Sequence, residues 1–275
     1  MPPPTPRTCC ILSPTLGLVS NILDPSALGQ HGTSSEGNGI MYFTQFGFID
    51  FGHVRDCADL TKWVHDELGR SLATILTTHG EASLLASMSG SLRSNVAQAI
   101  AYQDSVGYEI HTFDSMHPGG HNSSFSPEDL VSNYLGTWVA AEAIRRSENP
   151  PHLPFAREVD NVLGWVVRTY GGQSQAGTDA AFSYITSRGW ISGSIFNNDF
   201  LRRRNFTRTP WLVPHVRFGS PTTATLPDVM LSTAAHYSFT YKATSPSISA
   251  TDYPAKITAI QTRSRAAYGI DHNRP

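Results

Sequence analysis

The sequence predicts a mainly α fold: a single helical-bundle-like domain with long irregular N- and C-terminal segments and little strand. Three observations predict it. Apolar residues recur at helical spacing in five stretches between residues 46 and 190. Outside that zone Gly, Ser, Thr and Pro interrupt the chain without periodicity. Finally, 275 residues with no internal repeat and no linker can fill one core. Residues 1–45 are expected as a wrapping coil, 46–190 as the helical core, and 191–275 as a loop-rich cover of extended segments.

The first stretch, Phe46 to Leu68, reads as a helix continuing towards Thr77, although Gly52 weakens its first turn. On a wheel of about 100° per residue, Asp50, His53, Val54, Cys57, Leu60, Thr61, Val64 and Leu68 share one side. Arg55, Asp56, Asp59, Lys62 and Asp66 form the opposite, solvated face. Met41 to Phe46 could form a short strand, and the small, Ser-rich residues 80–94 a poor helix or a connection. Asn95 to Phe113 is the second helix, with Val96, Ile100, Val106 and Ile110 in its stripe. Glu109 and His111 lie on opposite shoulders, roughly 160° apart, so one straight helix cannot aim both into one small site.

A Pro-Gly-Gly loop carrying His117 and His121 follows. Ser126-Pro127-Glu128-Asp129 then opens a third helix, with Ser as N-cap, Pro at the first position and acids in the first turn. Asp129 and Asn133 are one turn apart on one side. Phe155 to Tyr170 is the fourth helix, closed by Gly171-Gly172, and Thr178 to Arg188 the fifth. Residues 190–220 are aromatic and basic.

Charge and cysteine content narrow the function. There are 20 basic and 22 acidic residues, and only 15% of the chain is charged. No basic stripe suggests nucleic acid, and no apolar run reaches the ~18 residues of a membrane span. The Pro-broken start lacks the apolar segment of a signal peptide. Cys9, Cys10 and Cys57 make a poor disulfide framework, which favours a reducing, cytoplasmic setting. A small-molecule substrate is the expected partner, and the sequence sets no oligomeric state.

Four segments carry a resemblance: Arg7-Thr-Cys-Cys, Phe46-Gly-Phe-Ile-Asp-Phe-Gly-His-Val-Arg, Tyr108-Glu-Ile-His-Thr-Phe, and Phe125-Ser-Pro-Glu-Asp-Leu-Val-Ser-Asn-Tyr-Leu-Gly. With weaker support from Leu201-Arg-Arg-Arg-Asn-Phe, the chain resembles the domain-of-unknown-function 4056 family over about residues 7–215. The resemblance implies a mainly helical domain and marks Asp50, His53, Glu109, Glu128, Asp129 and Asn133 as its polar signature. It implies no reaction. Many members resemble exported lipoproteins, whereas no lipobox precedes Cys9.

The chemistry expected follows from the polar residues on apolar faces. Burying an unpaired charge costs several kcal/mol, so Asp50 and His53 need partners or a task. An imidazole suits proton transfer near neutral pH. His53 is expected to move the proton, Asp50 to orient it and Glu109 to act as the complementary acid. Asp129, Asn133, Glu128, His111 and Tyr108 are expected to contact substrate. The substrate is expected to be apolar and natural-product-like, and the reaction a cyclisation, isomerisation or elimination without cofactor. The alternative is a metal-dependent hydrolase holding Zn, Mn or Fe through Asp50, His53, Glu109 and Asp129. A third reading is a non-catalytic binding or scaffold protein whose polar signature is a buried network. There is no Gly-x-Ser-x-Gly and no P-loop. Cys57 reads as a packed thiol before it reads as a nucleophile.

Overall fold

The computed structural model describes residues 40–70, 74–77, 79–84, 90–114, 125, 128–187, 239–244, 247–249, 255, 257–260 and 262. The expected Ser126 cap, the histidines at 117 and 121, and the basic segment at 202–204 lie outside them.

Strands β1 (Ile40–Phe43) and β2 (Gly47–Asp50) pair as an antiparallel hairpin. The expectation of helix from Phe46 is therefore corrected. Burial alternates along Gly47–Asp50 with period two, and Gly47 turns the chain at φ 86°, a conformation that costs glycine little. Helix α1 (Phe51–Gly69) starts only after Asp50, whose Oδ1 accepts the Gly52 N–H at 2.7 Å. The face expected to be solvated is partly enclosed as well: Arg55 and Asp59 are buried, and of that set only Asp66 is classed as exposed rather than partly or wholly buried.

The helix does not run on to Thr77. β3 (Thr74–Leu76) and β4 (Gly80–Leu84) form a second antiparallel hairpin. Ile75 is 1% exposed and its neighbour Leu76 60%, the alternation of a strand with one buried face. The residues expected to form only surface cover also reach the core. β5 (Phe239–Thr244) pairs with β4, and β6 (Ser247–Ser249) with β5, giving the order β3-β4-β5-β6.

α2 (Gly90–Asp114), α3 (Asp129–Ser147), α4 (Phe155–Thr169) and α5 (Gln175–Ser187) follow the expected order with shifted ends. The protein is mainly helical. α3 is buried on almost every side from Asp129 to Ile144, so it is the central helix rather than an amphipathic outer one. α1 serves two cores. Phe51, Val54 and Ala58 join β1, β2, α3 and α4. Leu60, Trp63, Val64 and Leu68 join α2, Ile75, Ala82, Phe125, Ile257 and Ile260.

Gly136 sets the approach of α3 to α1. A Cβ there would lie 2.3 Å from the Val54 carbonyl oxygen and 2.9 Å from Cys57 Cβ. Helices usually pack with axes about 8–10 Å apart because side chains separate them. Only glycine permits this crossing, and the crossing carries Asn133, one turn earlier on α3, against α1.

Candidate functional site

Three helices converge at His53. Its Nδ1–H donates to Asn133 Oδ1 at 2.9 Å, and its Nε2 stands 3.5 Å from Asp129 Oδ1. Cys57, one turn along α1, donates its S–H to the same Asn133 oxygen at 3.3 Å. Ser132 Oγ accepts the Asp50 N–H at 2.8 Å, which ties the start of α1 to α3. From α2 comes Glu109, whose Oε2 accepts the Phe125 N–H at 2.9 Å. Phe125 is itself buried and holds φ 59°, the left-handed region that bulky residues rarely occupy.

The imidazole side chain is 26% exposed and forms the outer edge of the set. Glu109 and Asn133 lie behind it, 2% and 1% exposed. Glu109 Oε1 and Asn133 Nδ2 are closed to solvent, and the Glu109 carboxyl is within hydrogen-bonding reach of the Asp129 and Asn133 side chains.

The electrostatics follow from burial and from clustered carboxylates. Burial opposes a charge on His53, but Asp129 first, then Asp50, Glu109 and Asp56, outweigh it, and the pKa is pushed up to about 10. Burial pushes Glu109 above the ordinary carboxylate range, while the His53 charge, the Phe125 N–H and the adjoining Asp129 and Asn133 side chains pull it partly back. Burial, with Asp56, Asp104 and Glu109 nearby, raises the Cys57 thiol far above its ordinary range. Cys57 is therefore a packed hydrogen-bond donor rather than a thiolate nucleophile.

His53, Glu109, Asp129 and Asn133 are thus brought together. Asp50 is not the group that orients the imidazole: its carboxylate caps α1, and Asn133 on another helix takes that place. Glu128 stands half-buried at the cap position of α3 without a side-chain cap bond. Tyr108 and His111 turn to the other side of α2, where His79 lies 5.3 Å from the Tyr108 ring and 5.6 Å from the His111 ring. Glu109 and His111 thus meet different neighbours, Phe125 and His79. Burial, then Glu109, raises the Tyr108 phenol to about 12. Among the described residues, no three His, Cys, Asp or Glu side chains are grouped to hold a metal ion.

Three residues escape the sequence reading. Ser132 and Gly136 each have a structural task that the residue pattern alone does not show. Buried Asp104 accepts from Thr77 Oγ1 at 2.5 Å and from His79 N–H at 2.9 Å, tying the β3–β4 turn to α2. A carboxylate in the middle of an apolar helix was the available signal.

No helix among the described residues is long and apolar enough to cross a membrane. No curated protein and no solved structure matches the chain. Residues 20–217 match the family described as protein of unknown function, DUF4056, and the chain belongs to that family.

Proposed function

We propose that this protein is a small-molecule enzyme, acting in a reducing compartment, that uses a His/carboxylate site for acid-initiated isomerisation, cyclisation or elimination of an apolar, natural-product-like substrate. The observation that carries this reading is the arrangement of His53, held at Nδ1 by Asn133 and facing Asp129 at Nε2, with buried Glu109 beside it. Both ring nitrogens face acceptors, so the ring is an imidazolium. A standing imidazolium is a poor general base. We assign the proton carrier to Glu109, whose carboxyl burial raises above the ordinary carboxylate range. His53 supplies the fixed positive charge that stabilises the carboxylate left when Glu109 gives up its proton. For isomerisation or cyclisation the same carboxylate takes a proton back from another position of the substrate, and atoms balance. For elimination the proton given by Glu109 leaves with the departing hydroxyl as water, and the Glu109 carboxylate takes up the proton lost from the neighbouring carbon.

The test uses deuterium oxide. Wild-type protein incubated with small-molecule extracts transfers deuterium into a compound of unchanged connectivity or its isomer, read by mass spectrometry. Glu109→Gln abolishes this transfer, and His53→Ala reduces it by about 10²-fold or more, with both variants folded by circular dichroism. Undiminished transfer in two folded variants would refute catalysis here and leave the polar set as the buried network that joins α1, α2 and α3.

A further inference from the structure

A pair of histidines stands apart from the set built on His53. On α2, Asp104, Tyr108 and His111 follow one another at i, i+4 and i+7, the spacing of one helix face. The β3–β4 turn packs against that face. Asp104 Oδ1 accepts the Thr77 hydroxyl at 2.5 Å and the His79 N–H at 2.9 Å, so the backbone of His79 is fixed over the helix. The His79 ring lies 5.3 Å from the Tyr108 ring and 5.6 Å from the His111 ring. His79 is 6% exposed, and its Nε2 is closed to solvent with no hydrogen bond. Leaving a buried polar atom unpaired costs about 1–3 kcal/mol. In the tautomer protonated at Nδ1 that atom is a bare lone pair. Burial opposes a charge on His79, Asp104 favours one and His111 opposes it; the pKa stands below the ordinary imidazole range. The buried ring is therefore neutral at about pH 7, the state in which an imidazole binds a metal.

We propose that His79 and His111 form a two-histidine site for a first-row transition-metal ion, Cu²⁺ or Zn²⁺, which clips the β3–β4 turn to α2. Imidazole suits both ions. Metal–nitrogen bonds of about 2.0–2.1 Å place two imidazoles that share one ion with their centroids on the order of 5 Å apart. The pair stands at 5.6 Å with its planes 35° apart. The imidazole χ2 torsion is broad, so small ring rotations aim one nitrogen of each at a common point. Half-buried His111 gives the ion its route from solvent. Tyr108, its phenol pushed up to about 12 by burial and then by Glu109, stays neutral and walls the site without ligating. Among the described residues no third His, Cys, Asp or Glu joins the pair. Closed structural zinc sites use four protein ligands; here water takes the remaining positions, and a chelator removes the ion.

The test adds Cu²⁺ or Zn²⁺ alone to the metal-free full chain. Electron paramagnetic resonance with one equivalent of Cu²⁺ should show coupling to imidazole nitrogen. Zn²⁺ should raise the melting temperature, because an ion held by the folded chain stabilises it by mass action, and a chelator should reverse the rise. His111→Ala, at a half-buried position, should stay folded by circular dichroism and weaken both ions at least about tenfold, the scale on which even the residues supporting metal ligands act. His79→Ala should do the same, and His53→Ala should leave both effects in place. Equal Cu²⁺ affinity and nitrogen coupling in the wild type and folded His111→Ala would mean adventitious binding elsewhere and overturns the site. So does coupling that disappears only in His53→Ala. Zn²⁺ that binds without raising the melting temperature overturns the clip.

Discussion

A histidine whose two ring nitrogens both face oxygen acceptors loses a hydrogen bond by becoming neutral. His53 is in this position, between Asn133 and Asp129. Folded, it holds its proton up to about pH 10, against 6.5 as an ordinary imidazole. Between those values the folded chain binds more protons than the unfolded one, so stability is full below about 6.5 and falls as pH rises towards 10. Glu109, raised by burial, acts with the same sign at lower pH: its contribution is greatest below the ordinary carboxylate range and declines as pH rises through the raised value. Urea denaturation at a series of pH values should show this decline above neutrality, and His53→Ala should flatten the alkaline part. Cys57, buried and raised, should resist a thiol reagent at pH 8 until the protein unfolds. Rapid labelling of the native protein would contradict the packed-donor assignment. Sequence periodicity found His53 and Glu109 because they interrupt apolar stripes. It assigned the orienting role to Asp50, the nearest carboxylate in the chain, because a partner 80 residues away leaves no local trace.

At the scale of elements, the crossing of α1 and α3 decides whether the site exists. Gly136→Ala places a methyl group 2.3 Å from the Val54 carbonyl oxygen, a backbone atom that cannot turn aside. Overpacking typically costs 1–3 kcal/mol, and this contact should reach at least about 3 kcal/mol. The expected readouts are a large drop in melting temperature or insoluble expression. A soluble variant with unchanged melting would show that the helices separate freely. Asp50→Ala removes the cap of α1 and should cost about 1 kcal/mol, read as a lower denaturation midpoint. Because Ser132 still receives the Asp50 backbone N–H, the strand-to-helix corner should survive. The order of the helices was legible from their stripes and from the Gly171-Gly172 stop. The entry to α1 was not: Phe46–Asp50 carries enough apolar residues for either a strand or a helix, and the pairing of Met41 with Ile49 makes it a strand.

For the whole molecule, the four-stranded sheet joins distant parts of the chain. β5 completes β4 across about 160 residues of intervening sequence, and Ile257 and Ile260 enter the core beside α1 and α2. Removing residues 239–275 should therefore expose the β4 edge and open that core. The expected outcome is a loss of cooperative thermal unfolding or aggregation during expression. A truncated chain that melts like the full one would return this segment to the role of surface cover. The sequence hid the contribution because these strands are short, Ser/Thr-rich and far from their partners.

Local interactions wrote part of this protein directly into the order of its residues: helical spacing marked the helices, polar residues on apolar faces marked His53 and Glu109, and one-turn spacing with the family resemblance marked Asp129 and Asn133. What depended on the assembled chain was which of them meet, and in which charge state. A hydrogen bond from α1 to α3, a sub-van der Waals clearance met only by glycine, and the loss of water around a carboxyl are properties of packed neighbours. Packing brings those neighbours together from segments that are separate in the chain.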